Sequence, residues 1–341
     1  MKALILAGGQ GTRLRPLTTD TPKPIVPLVN RPFAVYQIEL LRRAGITDIT
    51  FSLNYQPEKI EQALGDGREY GVKIRYVCEP SPMGTGGAFR FAMAGSEEPT
   101  VVLNGDILTD MRISDLIAFH HANDSAVTMS LVRVPDPSRY GVADLDAEDR
   151  VLRFLEKPQR KVTPNTINAG IYILEPSVLE SIPANENRSF EYDVFPKLLE
   201  QKARFYGYVL DDAYWRDIGT LESYLAAHLD YLAGRLARFD IDGQIPTRAA
   251  TSGVDATSVI GNNCVIKPGV EIVNSVIGPG VHIEERASVK NSVIWSHTRV
   301  ASSANVQHSV IGRGCHIGRN TTVRRGSALG DRFHLPDYAV V

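Results

Sequence analysis

A four-residue string returns every 17 residues in the last quarter of the chain. It reads Ser258-Val259-Ile260-Gly261, Ser275-Val276-Ile277-Gly278, Ser292-Val293-Ile294-Trp295 and Ser309-Val310-Ile311-Gly312. Between these strings the aliphatic residues fall at 260, 266 and 272, then 277, 283 and 289, then 294, 300 and 306, then 311, 317 and 323. The steps are six, six and five throughout. A strand that turns a corner after each step and points one aliphatic residue inward per side closes on itself after three sides. Stacked copies then bury a continuous core, which predicts a triangular parallel β-helix of four coils over 252–330. Gly261, Asn262, Pro268, Gly269, Pro279 and Gly280 stand at the corners, where tight turns favour them. A β-sandwich would need the same spacing by coincidence in four consecutive repeats.

The first two thirds have a different texture. Short β-branched runs alternate with helical ones: strands at 2–7, 48–53, 72–78, 100–104 and 126–132, and helices at 33–44, 57–64, 86–94 and 112–122. That alternation predicts βαβ units around a mostly parallel, Rossmann-like sheet, an α/β domain. The stretch 140–175 is strand-rich and predicts an antiparallel insertion. Two further helices are expected at 192–201 and 221–233. The domain boundaries read as 1–235, a connector at 236–251, the repeats at 252–330, and a tail at 331–341.

Charge narrows the function class. The 341 residues carry 37 Lys+Arg against 39 Asp+Glu, so no basic footprint for nucleic acid exists overall. The average hides a division. Residues 252–330 hold eight basic and four acidic residues, whereas residues 1–24 hold four basic and one acidic inside an otherwise acidic domain. No apolar run is long enough for a membrane span, and none is expected. Cys78, Cys264 and Cys315 fit neither a disulfide framework nor a zinc pattern. A cytoplasmic location is the expectation.

The basic excess coincides with a glycine loop directly after the first strand. Gly8-Gly9-Gln10-Gly11-Thr12-Arg13-Leu14-Arg15-Pro16 runs on to Pro22-Lys23-Pro24. Glycines let backbone N–H groups approach a phosphate, and Arg and Lys add charge-assisted bonds. Leu14 replaces the third glycine of a dinucleotide fingerprint, and no Gly-Lys-Ser/Thr closes a Walker loop. Asp106, in Asn104-Gly105-Asp106, follows a strand, and ligands collect at that end of parallel strands. Asp217, in Trp215-Arg216-Asp217-Ile218-Gly219-Thr220, precedes a helix. Each reads equally well as a turn or capping residue when taken alone.

With these strings together, the chain resembles the nucleoside-diphosphate-sugar pyrophosphorylases, or sugar-1-phosphate nucleotidyltransferases, over its whole length. Its layout is most similar to the mannose-1-phosphate guanylyltransferase branch, and its repeats resemble the left-handed β-helix family. The resemblance implies transfer of a nucleotidyl group from an NTP to a hexose 1-phosphate, with pyrophosphate released and Mg²⁺ as cofactor. It implies nucleotide contacts from Leu6, Ala7, Gly8, Gly9, Gly11 and Thr12, and catalytic triphosphate contacts from Arg13 and Lys23. Asp106 and Asp217 match the family's metal ligands. Glu156 and Lys157, in Phe154-Leu155-Glu156-Lys157-Pro158, match its Glu-Lys-Pro element, in which Glu holds sugar hydroxyls and Lys the sugar phosphate. Tyr140 and Gly141 match a motif that meets the hexose, and Asn168 a strand residue that reaches it.

The segment from Glu79 to Ala88 matches the family's base-binding stretch and includes Gly84 and Thr85. Gly86 stands where Ala is usual, which predicts a more flexible helix start. Glu79 is often Gln in the pyrimidine-specific members. Guanine offers two adjacent donors, N1–H and N2–H₂, and a carboxylate accepts both. Glu79 therefore points to GTP, with dTTP, UTP and ATP as alternatives and a base read by the Gly84 backbone as the other reading. Two further readings of the whole chain are a non-catalytic paralogue and a hexapeptide acyltransferase. Asp106, Asp217, Lys23 and Lys157 speak against the first. Four repeats with no inserted loop speak against the second. A homo-oligomer formed through the β-helix is expected.

Overall fold

The computed structural model describes residues 1–158, 165–236 and 253–341. The connector expected at 236–251 lies, from 237 on, outside the described residues. Contacts divide the chain into two units. The first is Met1–Gly9 with Ala34–Trp215, and the second is Gln10–Phe33 with Arg216–Val341.

The first unit is built on a nine-stranded sheet. Its elements are β1 (Lys2–Leu6), α1 (Phe33–Arg43), β2 (Asp48–Leu53), α2 (Pro57–Leu64), β3 (Lys73–Cys78), α3 (Gly84–Ala92), β4 (Thr100–Asn104), β5 (Ile107–Thr109), α4 (Ile113–Ala122) and β6 (Val127–Arg133). They continue with β7 (Gly141–Leu145), β8 (Val151–Glu156), β9 (Thr166–Leu174), α5 (Pro176–Ser181), α6 (Phe195–Glu200) and β10 (Phe205–Leu210). The strand order is β8-β7-β9-β4-β1-β2-β3, with β6 beside β9 and β10 beside β6.

Strands β4, β1, β2 and β3 run parallel, in register from Leu6 opposite Asn104 to Leu53 opposite Cys78. Ala3, Leu4 and Ile5 of β1 are all fully buried, as a central strand with covered faces requires. The expected antiparallel insertion is β7, β8 and β9. Between Asn168 and Tyr172 the β9 ladder loses register around Gly170, whose φ is +76°. An added Cβ there would lie 2.9 Å from the Asn104 amide. The helix expected at 192–201 is shorter. A π-type turn, Phe190–Val194, precedes α6, because Pro196 has no N–H to close an α-helical bond on the preceding turn.

In the second unit, α7 (Leu221–Leu232) is capped by Thr220, whose hydroxyl accepts from the Ser223 N–H at 3.2 Å. The repeats form three parallel sheets. Every aliphatic position read from the spacing lies in one apolar core, and Ile277, Ile283, Val289, Ile294, Val300, Val306, Ile311, Ile317 and Val323 are fully buried. The winding continues into 331–341. Leu329 pairs with Ile311, Leu335 with Ile317, and Val340 bridges to Thr322. Before Leu329 one extra residue is accommodated around Gly326, at φ +85°.

Candidate active site

The first unit gathers polar groups at the C-terminal ends of its parallel strands. Past β1, the Ala7 N–H bonds the Ser52 carbonyl at 2.9 Å. Gly8 then passes so close to Glu79 that a Cβ would sit 3.0 Å from Oε1. Gly9 faces open space. Glu79 is fixed from three directions: its Oε1 accepts from the Ser52 hydroxyl at 2.9 Å, its Oε2 from the Met83 N–H at 3.1 Å, and its N–H bonds the Leu53 carbonyl at 2.8 Å. Two of the roughly four acceptor positions of the carboxylate are thereby used, and two remain for a ligand.

The start of α3 is packed. The N–H groups of Gly86 and Gly87 both bond the Arg188 carbonyl, at 2.8 and 3.0 Å. A Cβ on Gly84 would lie 2.5 Å from that same oxygen, and one on Gly87 2.3 Å from the Glu186 carbonyl. Glycine serves close approach here, so the flexible helix start expected from Gly86 is replaced by a clamped one. Thr85 donates to Glu191 Oε2 at 3.0 Å and accepts from the Phe190 N–H at 2.8 Å, which ties the start of α3 to the π-type turn.

Asp106 sits in the turn between β4 and β5. The Gly105 N–H bonds the Leu6 carbonyl at 2.9 Å, and a Cβ on Gly105 would lie only 2.4 Å from that oxygen. The turn bearing Asp106 is thus held directly against the end of β1.

On the antiparallel side, Glu156 lies against Gly141, where a Cβ would meet Oε2 at 2.6 Å. The Lys157 ammonium is 2.9 Å from Glu156 Oε1. Lys157 adopts φ +43°, and its N–H bonds the Tyr140 carbonyl at 3.1 Å, so Tyr140, Gly141, Glu156 and Lys157 form one cluster. Burial, the largest influence, outweighs the Lys157 charge and raises the Glu156 carboxyl above its ordinary 4.5. The hydrogen bond to Glu156 raises the Lys157 ammonium. The Tyr140 ring meets Trp215 edge to face at 5.5 Å, and the Trp215 indole N–H bonds the Ala169 carbonyl at 2.9 Å. Asn168 uses its amide internally: Oδ1 accepts from the Gly170 N–H at 2.9 Å, and Nδ2 donates to the Tyr172 hydroxyl at 2.7 Å. One amide N–H remains for a ligand.

Sequence reasoning missed Glu191. It bonds Thr85, and its charge helps raise Glu156, Lys157 and the fully buried Tyr172. The available signal was Ser189, whose hydroxyl accepts from the Glu191 and Tyr192 N–H groups as an N-cap does.

The second unit holds the rest of the glycine loop. Gly11 adopts φ +63°, and the Thr18 hydroxyl donates to its carbonyl at 2.7 Å. A Cβ on Gly11 would meet Lys23 Cβ and Thr18 Cγ2, both at 3.2 Å, so the loop folds onto the stem of Lys23. Thr12, Arg13 and Leu14 make a single 3₁₀ turn. The Arg13 guanidinium and Asp217 Oδ2 both flank Gly219, at 3.0 and 2.9 Å from a Cβ built there. The Ser223 hydroxyl donates to the Asp217 carbonyl. Asp106 in the first unit and Asp217 in the second each present a hard carboxylate, the type of donor that Mg²⁺ takes. Among the described residues no three His, Cys, Asp or Glu side chains form a metal cluster of their own. Among the described residues, too, no helix is long and apolar enough to cross a membrane.

Comparison with known proteins identifies the family. The nucleotidyl transferase family model matches residues 2–234, and the LbH-domain model of the EIF2B epsilon subunit matches residues 244–341, in keeping with a left-handed β-helix. Among curated proteins the chain is similar to a mannose-1-phosphate guanylyltransferase of Mycobacterium tuberculosis, at 37% identity over 80% of this chain and 79% of the relative. It is also similar to a mannose-1-phosphate guanyltransferase of Pichia angusta, at 40% identity over 80% and 73%. A probable mannose-1-phosphate guanylyltransferase of Oryza sativa is 40% identical over 79% and 76%. On the family match and these identities, the chain belongs to the nucleotidyl transferase family.

Proposed function

We propose that the chain transfers a guanylyl group from GTP to mannose 1-phosphate, giving GDP-mannose and pyrophosphate. The names of the most similar relatives support the substrate pair. The observation that carries the base preference is the Glu79 carboxylate, held by Ser52 and Met83 against Gly8 with acceptor capacity to spare.

In this reading a phosphate oxygen of mannose 1-phosphate attacks the α-phosphorus of GTP. A P–O bond forms, the bond to the β-phosphate bridging oxygen breaks, and pyrophosphate leaves with the electron pair. The nucleophile is already anionic at neutral pH, so no general base is needed. Catalysis then consists of positioning and charge neutralisation. Leu6, Ala7, Gly8, Gly9, Gly11 and Thr12 line the nucleotide, and Arg13 and Lys23 neutralise the triphosphate. Gly84 and Thr85 hold the base-binding segment. Glu156, Tyr140, Gly141 and Asn168 orient the hexose, and Lys157 lies beside the sugar phosphate. Asp106 and Asp217 would hold Mg²⁺, which when bound neutralises phosphate charge.

A homo-oligomer built through the β-helix accompanies this reading. Phe333, Tyr338 and Val340 are 45%, 74% and 54% exposed on its last coil, apolar surface that a second copy would cover. A monomer in light scattering at micromolar concentration would count against it. The cytoplasm, where nucleoside triphosphates are abundant, remains the proposed location.

The activity is tested by pyrophosphate release, with GTP, ATP, UTP, CTP and dTTP each paired with mannose, glucose, galactose and glucosamine 1-phosphates. GTP with mannose 1-phosphate is expected to give the highest kcat/KM. A preference for another nucleotide or hexose would replace this reading.

A further inference from the structure

Three of the four repeat strings end in glycine, and the third ends in Trp295. The glycines have a local reason. A Cβ on Gly261 or Gly278 would lie 2.5 Å from a backbone nitrogen of the next coil, and one on Gly312 2.7 Å from the Gly330 carbonyl carbon. The third coil places its bulkiest side chain at this crowded corner and buries it to 1% exposure.

That side chain does not point into the β-helix core. Its indole N–H donates to the Tyr224 hydroxyl of α7 at 3.1 Å, and the two rings meet edge to face at 6.5 Å. The Tyr224 hydroxyl in turn donates to the Pro27 carbonyl. Tyr224 is fully buried, and its ring packs edge to face on His228 at 4.8 Å. His228 accepts from the Val29 N–H at 3.4 Å.

Pro27 and Val29 belong to a two-residue hairpin in which Leu28 pairs with Arg31. Its turn residues Val29 and Asn30 both have positive φ, +46° and +65°. A β-branched residue adopts that backbone only where its surroundings over-determine it. They do so here: the Asn30 amide also donates to the Ile277 carbonyl of the β-helix at 2.8 Å. The hairpin is joined to Lys23 by one 3₁₀ turn, closed by the Val26 N–H on the Lys23 carbonyl at 3.2 Å. On the other side of Lys23, Thr21 donates to Asp331 at 3.4 Å, Asp20 pairs with Arg332 at 2.8 Å, and Pro16 packs on Gly330. The stretch that carries Lys23 is therefore fastened to the repeats on both sides.

We propose that Trp295 and Tyr224 are positioning residues for the nucleotide: the β-helix, through this indole–phenol–carbonyl chain, sets where the Lys23 ammonium stands. The proposal rests on the assignment of Lys23 to the triphosphate, and it gives the repeat domain a part in GTP binding beyond assembly. Neither aromatic residue touches substrate.

Tyr224→Phe keeps the ring and removes the hydroxyl, and Trp295→Phe removes the indole N–H. Tyr224→Phe is expected to raise the GTP KM, and the GTP Kd measured by titration calorimetry without sugar phosphate, by about tenfold. The mannose 1-phosphate KM should stay within about twofold, because that subsite lies on other residues. Trp295→Phe should act in the same direction, and the double variant should be no worse than Tyr224→Phe alone, since both cut one chain. A merely structural role would lower the thermal midpoint while leaving the GTP KM of the folded fraction unchanged, and that result overturns the proposal. Should one aromatic variant fail to fold, the other cuts the same chain, and an unchanged GTP Kd there is equally decisive against it. Lys23→Ala separates the two layers. If it leaves the GTP Kd unchanged, the assignment of Lys23 falls and the relay with it. If it weakens GTP while Tyr224→Phe does not, only the relay falls.

Discussion

The Ser52 hydroxyl donates to Glu79 Oε1 at 2.9 Å while the Met83 N–H donates to Oε2 at 3.1 Å, so each oxygen of this carboxylate is anchored once. Such anchoring fixes the direction of the remaining lone pairs, which is what recognition of two adjacent guanine donors needs. Glu79→Gln keeps one carbonyl oxygen and turns the other acceptor into a donor. One guanine N–H then faces a donor, at a cost of about 1–3 kcal/mol. GTP kcat/KM is expected to fall by roughly tenfold to a hundredfold relative to UTP and dTTP, with little change in thermal midpoint. Unchanged GTP preference in a folded variant would show that the carboxylate does not read the base.

The pair formed by Glu156 and Lys157 sets a pH dependence. Burial raises the Glu156 carboxyl above 4.5, so between 4.5 and the raised value the folded chain holds a proton that the unfolded chain has lost. In that window stability falls as pH rises, by the sign of the linkage relation. On the role proposed for Glu156, function runs the other way, because the ionised carboxylate is the form that would accept from sugar hydroxyls. Glu156→Gln is expected to raise the hexose 1-phosphate KM by about tenfold or more, and to flatten the acid limb of kcat/KM. A variant with an unchanged acid limb would assign that limb to another group.

Much of this arrangement was legible in the chain, for reasons that differ by element. Each β-helix core position follows from a spacing of six, six and five, because a triangular coil allows one inward residue per side, and Ile294 or Val306 has no other place to go. The winding past residue 330 was hidden because Leu329 stands 18 residues after its partner Ile311, which breaks the period of 17. Strands β1, β2 and β4 were readable because buried parallel strands demand largely apolar runs such as Val101-Val102-Leu103, whereas β3, at the sheet edge, exposes Lys73, Arg75 and Cys78. The partition of Gln10–Phe33 with the repeats was not readable. It depends on single long-range bonds such as Asn30 to the Ile277 carbonyl, which leave no periodic trace. Glu191 escaped notice because a π-type turn breaks the 3.6-residue pattern just where it sits.

Gly105 holds the turn that bears Asp106 against the end of β1. A Cβ at this position would lie 2.4 Å from the Leu6 carbonyl oxygen, far inside contact distance, and the obstacle is backbone. Gly105→Ala must therefore displace either the end of β1 or the Asp106 turn. The expected stability loss is about 1–3 kcal/mol, with a fall in kcat of at least roughly tenfold at saturating Mg²⁺. A variant that loses stability but keeps kcat at a temperature where it is folded would separate Asp106 from the turn geometry.

His228 should make the second unit acid-sensitive. It is fully buried, and burial pushes its pKa from 6.5 down to about 3, so the ring is neutral in the folded chain while it accepts from the Val29 N–H. Between about 3 and 6.5 the unfolded chain takes up a proton that the folded chain refuses. Stability therefore rises with pH through this window and is lost on acidification, by up to about 1.4 kcal/mol per pH unit for one proton. The ring that faces His228 is Tyr224, which stays un-ionised because burial raises its pKa, so it adds no opposing titration here. His228→Asn keeps an acceptor near the Nδ1 position and removes the titrating ring. It is expected to be less stable at neutral pH, from the volume lost, yet to show a shallower decline of thermal midpoint from pH 6.5 to 4. If wild type and His228→Asn decline in parallel across that range, the acid sensitivity lies elsewhere.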